Sequence, residues 1–338
     1  MSIPTAVFLD TSILDSQQYN FQSTAFSTFV PACAKRSLKL LLPDPTEREI
    51  KRHMKERTSE ALSALEGLRR KVPFLGKWKG LAPQFGSPQL EEFDAQSTAT
   101  DQWQAFLKQF AVVRLGYQGL DVAKVMQWYD KAEAPFKEGK KRKEFTDAFA
   151  IQMLDAYAQK AKIYIAVVSA DEDFKLACQR YSALLYFKSL PRLTELLLSD
   201  VARVEKLRLA IDANMNLLNE AIADEMQDIE FHHHSQRIEV HGYNGVDVES
   251  VDVSIVAVGD DECTIVFDTL QGIYFDMRWE DDTDDGPKVF RRNVKERVEL
   301  SGTAKVSFVG DEVSEVSLLS FDQKTVALSE GPYGGIWW

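Results

Sequence analysis

The chain places acidic residues where metal-assisted chemistry would need them. Asp10 directly follows the apolar run Thr5–Leu9, and Asp171 and Asp173 follow the run Ile163–Val168. Glu49 (or Glu47) and Asp147 fall near the start of two helix-forming stretches. In an open parallel sheet, ligands bind beyond the carboxyl ends of the strands, so acids placed there share one crevice. Five or six carboxylates in one crevice repel one another unless cations neutralise them. Hard divalent ions with oxygen ligands meet that need, and a pair about 4 Å apart activates water and steadies a leaving alkoxide.

The elements that must hold these acids read as an alternating α/β chain. Thr5–Leu9 and Leu38–Leu42 are short apolar runs, the second closed by Pro43, and both predict buried strands. Thr46 to about Gly67 is rich in helix formers, with Thr46 as N-cap and Glu49 at the capping-box position. Pro and Gly between Lys71 and Thr100 predict irregular connections. Residues 101–133 read as helical and carry Trp103, Phe106, Phe110, Trp128 and Tyr129. A basic loop, Lys137 to Lys143, precedes a helix starting near Thr146. Ile163–Val168 is the clearest buried strand. A helix to about Arg180, a short strand at Leu184–Phe187 and helical sequence from Pro191 follow it. This alternation predicts a parallel sheet.

Four segments, in order, resemble the motifs of PIN-domain nucleases. Val7-Phe8-Leu9-Asp10-Thr11-Ser12 is similar to the family's first motif, a strand ending in a metal-ligand Asp. The segment Leu42 to His53 resembles the one that carries the family's Glu, and Glu49 aligns better than Glu47. Lys141-Arg142-Lys143-Glu144-Phe145-Thr146-Asp147-Ala148 resembles the Lys-x-Lys-Glu-Phe-Pro-Asp-Ala pattern of a PIN-like subgroup, as do Trp128-Tyr129 and Pro135-Phe136 before it. Ser169-Ala170-Asp171-Glu172-Asp173-Phe174 resembles the (Thr/Ser)-x-Asp-x-Asp-Phe motif. Thr146 departs from the usual Pro, a harmless change because Thr also starts helices.

The resemblance covers residues 5–197 and implies a PIN-like three-layer α/β domain with a parallel sheet and a helical insertion at about 60–135. It implies an endonuclease that hydrolyses phosphodiesters with water and Mg²⁺ or Mn²⁺, leaving 5′-phosphate and 3′-hydroxyl ends. Carried over by position, Asp10, Glu49, Asp147 and Asp171 are its metal ligands, with Asp173 in support. Ser12 and Ser169 orient carboxylates or waters. Lys140, Lys141, Arg142 and Lys143 meet phosphates, joined by Lys51 and Arg52. The substrate it implies is RNA ahead of DNA, in a toxin-like or defence setting, and PIN domains often pair into homo-oligomers. A catalytically silent nucleic-acid-binding or scaffold protein on the same fold is the alternative; the intact acidic set argues against it.

Plainer readings stand beside these. A lone Asp after a strand is most often a cap or turn residue, and Asp173 could simply cap a helix beginning near Phe174. Glu49 could serve only a capping box, Glu47 reads as part of a solvated helix face, and His53 as a packing residue at the edge of its helix. Phosphatases of the haloacid dehalogenase type need Asp-x-Asp after the first strand, which Asp10-Thr11-Ser12 lacks. Four motifs in order favour the cation site.

A chain of 338 residues exceeds one comfortable core. Its net charge of −12 is uneven: residues 1–200 hold 28 Lys and Arg against 24 Asp and Glu, and the rest hold 12 against 28. After His232, His233 and His234, which read as a solvated linker, short alternating segments separated by Gly, Asp and Asn predict a small sandwich or barrel. The expected organisation is a nuclease-like domain at 1–198, a helical connector at 199–235 and an acidic all-β domain at 236–338. Such an acidic domain repels nucleic acid and suits a protein partner or the basic face of the first domain. Asp260 to Glu262 and Glu280 to Asp285 read as surface loops, and the terminal Trp337 and Trp338 fold back or meet a partner. Cys33, Cys178 and Cys263 lack pairing motifs and read as small core residues in a reduced, cytoplasmic compartment. No apolar run approaches the roughly 20 residues of a membrane span.

Overall fold

The structure, a computed structural model, describes residues 3–328 apart from 76, 80, 83–86, 137–143, 199–200, 234–237, 284–285 and 311. The chain divides into two compact units, Met1–Leu193 and Thr194–Trp338. No helix among the described residues is long and apolar enough to cross a membrane.

In the first unit, strands β1 (Ala6–Leu9), β2 (Lys39–Pro43), β3 (Ala111–Leu115), β4 (Ile165–Val168) and β5 (Leu184–Phe187) form a parallel sheet in the order β3-β2-β1-β4-β5. β1 and β4 are neighbours, with Leu9 opposite Val168. Strand order reverses between them, which is where a doubly wound sheet opens a crevice at its carboxyl edge. Every residue of both strands is buried, and burial on both faces is why they read as unbroken apolar runs. β3 lies inside the stretch expected to be helical. As an edge strand it is only half-buried, so no continuous apolar run marks it.

The α-helices among the described residues up to the end of this unit are α1 (Thr11–Ser16), α2 (Thr24–Lys35), α3 (Asp44–Lys71), α4 (Pro88–Leu107), α5 (Val122–Asp130), α6 (Phe145–Ala161), α7 (Glu172–Cys178) and α8 (Leu190–Leu197), the last of which runs across the division. On one face of the sheet, Ala6, Phe8, Ile165 and Val167 share a core with Val125 and Trp128 of α5 and Ile151 and Leu154 of α6. Elsewhere Phe21, Phe26, Trp103 and Phe106 form an aromatic cluster, Phe21 and Phe106 stacking at 4.7 Å. Each such ring contributes about 1.5–3 kcal/mol by leaving water, so this cluster anchors α4, and with it the insertion, to α2.

Two helix starts differ from expectation. α3 begins at Asp44, with Pro45 in its first turn, where a missing N–H costs nothing. Thr46 is therefore buried inside the helix and caps nothing. α6 begins at Phe145, and Thr146 lies within its first turn without a capping bond.

The second unit contains α9 (Val201–Ala213) and α10 (Met215–Glu225), then β6 (Glu230–His233), β7 (Ile238–Val258), β8 (Glu262–Thr283), β9 (Gly286–Val309), β10 (Glu312–Phe321) and β11 (Thr325–Leu328). β7 to β10 form an antiparallel meander, and β11 pairs in parallel with β6. The short segments expected between Val251 and Phe308 are parts of strands of 21 to 24 residues, whereas β10 and β11 are short as expected. Along β8, Cys263, Ile265, Phe267, Thr269, Gln271, Ile273, Phe275 and Met277 are all buried, one continuous inward face at period two. Thr269 and Gln271 interrupt its apolar pattern and bond to each other at 3.2 Å, with Thr269 Oγ1 donating to the Ser250 carbonyl at 3.0 Å. They separate two apolar cores. One joins Ile265 and Phe267 to Leu207, Ile211, Leu218 and Ile222 of α9 and α10. The other joins Ile273 and Phe275 to Met226 and Ile229.

The helices expected as a connector thus belong to the core of this unit. A cut near residue 230 would strand their apolar faces. His232 and His233 lie in β6, and His233 is buried, rather than in a solvated linker; His234 lies outside the described residues. Glu280 to Thr283 continue β8 instead of forming a loop, whereas Asp260 and Asp261 do occupy the exposed β7–β8 turn. Cys33, Cys178 and Cys263 are free and buried, and burial pushes each thiol up to about 12. Trp337 and Trp338 lie outside the described residues.

Candidate active site

Asp10 leaves the end of β1 at the switch point, where its backbone N–H donates to the Val168 carbonyl at 3.0 Å. It is 5% exposed. Its Oδ1 accepts from the Thr11 N–H at 2.8 Å, and its Oδ2 accepts from the Ser12 hydroxyl and from the Ser169 hydroxyl at 2.8 Å. Ser12 in turn accepts from the Ala170 N–H, and Ser169 from the Asp171 N–H, both at 3.1 Å. The two serines therefore join the ends of β1 and β4 through one carboxylate. Burial raises the Asp10 pKa, and the bonds from Ser12, Ser169 and Thr11 only partly offset it.

Three further acids come from helix beginnings and share the electrostatic surroundings of Asp10. Asp147 lies in the first turn of α6. Burial is the largest cause that lifts its carboxyl well above the ordinary range, followed by the charges of Asp10, Glu144 and Glu49. Glu49 is raised too, first by burial, with His53 and Arg52 opposing and Asp10 and Glu144 adding. The entry of α6 is fixed by rings: Phe145 stacks on Tyr129 at 5.2 Å and meets Phe136 edge-on at 4.9 Å. Those aromatics of the third-motif region set where Glu144 and Asp147 emerge.

Asp171 is the N-cap of α7, its Oδ1 accepting from the Asp173 N–H at 2.8 Å. Asp171, not Asp173, thus caps this helix, and Asp173 is buried inside the first turn at 2% exposure. Glu47 corrects another expectation. It is buried, not solvated, and ion-paired to Lys51 at 2.8 Å and to Arg114 of β3 at 3.1 Å. Burial opposes its charge, but those two cations outweigh the penalty and hold its pKa low. Lys51 is thereby engaged by Glu47, and Arg52 by Glu49 at 3.2 Å. Lys140, Lys141, Arg142 and Lys143 lie outside the described residues.

Sequence reading passed over Glu144 and Asp15 here and misread His53. Glu144 stands inside the third motif, and the i, i+3 spacing to Asp147 was its signal. His53 is not a packing residue: its Nδ1 meets Asp15 Oδ2 at 3.0 Å and its Nε2 lies 4.0 Å from Glu49. Asp15 also accepts from Arg57 at 3.0 Å. Glu49, His53 and Arg57 are four residues apart on one helix face, a spacing visible in the sequence.

Among the described residues, no group of three or more His, Cys, Asp or Glu is already gathered as a cage for a metal ion. The donor chemistry nevertheless fits a hard cation. Asp10, Glu49 and Asp147 offer only carboxylate oxygens; burial raises all three, and the charges of neighbouring acids add to the rise at Glu49 and Asp147.

A doubly wound parallel sheet with a buried acid at its switch point defines an α/β domain whose ligand site lies at the carboxyl edge of the sheet. The particular family follows from comparison: residues 7–174 match the PIN domain family, and the first unit belongs to it. This gives the unit a nuclease-like fold, of a family whose members generally act on nucleic acid and use divalent metals. No curated protein and no solved structure matches the chain.

Proposed function

We propose that the chain is a metal-dependent endonuclease that hydrolyses phosphodiesters, with RNA as its preferred substrate. The observation that carries this reading is the buried Asp10 carboxylate at the β1–β4 switch point, held by Ser12 and Ser169, with Asp147 and Glu49 near enough for their charges to act on one another. Buried like charges without equal counter-charge are costly in a structural role, and they are common where a site serves function. In this reading Asp10, Glu49, Asp147 and Asp171 hold Mg²⁺ or Mn²⁺, with Asp173 supporting Asp171 from the same turn. The chemistry the ion supplies when bound is a lowered pKa for water and neutralisation of charge on the phosphodiester.

The chain's own residues supply the rest. Ser12 and Ser169 hold the Asp10 carboxylate in one orientation. His53, braced by Asp15, limits the swing of Glu49. Lys140, Lys141, Arg142 and Lys143 hold phosphates beside Asp147. The acidic second unit takes a protein partner or regulates access to the first.

The test is incubation of the full chain with labelled RNA and DNA panels in Mn²⁺ or Mg²⁺. We expect RNA cleavage that EDTA abolishes and that Asp10→Asn reduces by about 1,000-fold. Binding without cleavage by the wild type, equal in Asp10→Asn, would instead favour a silent nucleic-acid-binding protein.

A further inference from the structure

The connection between α3 and α4 carries a second surface suited to nucleic acid. α3 continues from Glu49 to Lys71, a rise of about 33 Å at 1.5 Å per residue. Beyond it, Phe74 is 79% and Trp78 is 60% exposed. Rings of that size rarely face water without a partner. The exposure is not for want of local structure. Arg69 donates to the Leu81 carbonyl at 2.6 Å and forms a two-armed ion pair with Glu91 at 2.8 and 3.0 Å. The Trp78 carbonyl accepts from the Leu81 and Ala82 N–H groups, both at 2.8 Å. The turn is tied back to the helix pair with its two rings outward.

Charge points to the occupant. Residues 67–90 hold five cations, Arg69, Arg70, Lys71, Lys77 and Lys79, and no acid, in a chain of net charge −12. Arg69 and Arg70 are taken up by Glu91 and Glu66. Lys71, Lys77 and Lys79 are exposed beside the rings. A cleft of about 390 Å³ lies along α3, lined by Met54, Arg57 and Leu62 and by Tyr19, Ala95 and Gln102.

We propose that the α3–α4 arm is a landing platform for single-stranded nucleic acid, with Phe74 and Trp78 stacking on unpaired bases and Lys71, Lys77 and Lys79 holding phosphates. Exposed rings interleaved with cations suit a strand whose bases are free, because every base offers a face whatever its identity. A duplex has its bases already stacked and offers the rings nothing. This deepens the nuclease reading and rests on it for the destination of the strand, the acids at the start of α3.

The experiment measures anisotropy of labelled 20-nucleotide single-stranded RNA and DNA with the full chain in EDTA, so that binding is read without cleavage. Phe74→Ala and Trp78→Ala each weaken binding about tenfold, with circular dichroism melts unchanged. Replacing Lys71, Lys77 and Lys79 together by Ala flattens the slope of log K against log salt by about 2. Wild-type affinity in all these variants overturns the platform, as does a wild type that binds neither strand. It is also overturned if ring removal only turns an oligomer into a monomer in light scattering, with binding unchanged. Ring-dependent binding by a wild type that never cleaves in Mn²⁺ leaves the platform standing and removes the nuclease. Cleavage by a chain whose ring variants bind normally does the reverse.

Discussion

The two units mostly treat the same residue type in opposite ways, although Asp322 of the second unit is also raised, by burial and by the charge of Asp268. In the second unit, carboxylates stand on an exposed sheet face beside cations: Asp247 meets Lys295 at 3.0 Å, Glu249 meets Arg297 at 2.9 Å, and Lys305 pairs with Glu262. The hydrogen bond and charge of Lys295 hold the Asp247 pKa below its ordinary value. In the first unit, Asp10, Glu49 and Asp147 are drawn out of water beside one another, and their pKa values rise. Unit two contains more negative charge; unit one contains charge without enough compensation. A surplus of acid marks a solvated surface, whereas a buried, unbalanced cluster marks a place built for a cation.

The sharpest way to break that contrast is to remove one acid from each unit. Asp147→Asn is expected to cut cleavage by about 1,000-fold, equivalent to ~4 kcal/mol of barrier. Asp268→Asn in the second unit is expected to leave it unchanged. Equal losses, in rates measured with saturating Mn²⁺, would erase the distinction. Packing gives the next effect. Phe267, fully buried and in contact with Phe321 at 6.1 Å, anchors one core of the second unit. Phe267→Ala should cost that unit about 3 kcal/mol in denaturant unfolding. Gly302 belongs to the same core, since a Cβ there would lie 2.7 Å from the Phe267 ring and 2.8 Å from the Ser320 carbonyl.

Smaller effects sharpen the comparison. Ser169→Ala removes one of the two hydroxyls on Asp10 Oδ2 and is expected to weaken Mn²⁺ affinity by about 10- to 100-fold, read by calorimetry. The pH dependence follows from the raised carboxylates. Between its ordinary value near 4 and its raised folded value, Asp147 holds more protons in the folded chain than in the unfolded one. Its contribution to stability therefore falls as pH rises through that range. In EDTA, Asp147→Asn should grow progressively more stable than wild type as pH climbs from about 4. A gap that stays constant with pH would show that the acid is not destabilised by burial. Least of all, Asp247→Asn should leave the melting midpoint unchanged within the scatter of surface substitutions, because its partner Lys295 stands in water.

The two strands that precede Asp10 and Asp171 were legible because β1 and β4 are buried on both faces, which writes each as an unbroken apolar run. β3 was hidden because an edge strand needs no such run. Helix starts slipped by one to three residues: Asp44 and Phe145 begin helices for which Thr46 and Thr146 looked the better starts. Glu47 read as solvated because nothing local reveals that Arg114, 67 residues on, lies across from it. Glu144 went unread and His53 was taken for a packing residue because their importance lies in neighbours brought by folding. In the second unit the alternation was plain but the strand lengths were not. Thr269 and Gln271, buried within the inward face, look like punctuation until Ser250 supplies their partner.

Calorimetric titration of Mn²⁺ into the full metal-free chain tests the central claim most directly, beside Asp10→Asn and Asp147→Asn. The account predicts saturable binding by the wild type, with proton release, and its loss in either variant while both remain folded. A wild type that takes up no ion, or variants that bind it equally well, would contradict the claim that these carboxylates exist to hold a cation.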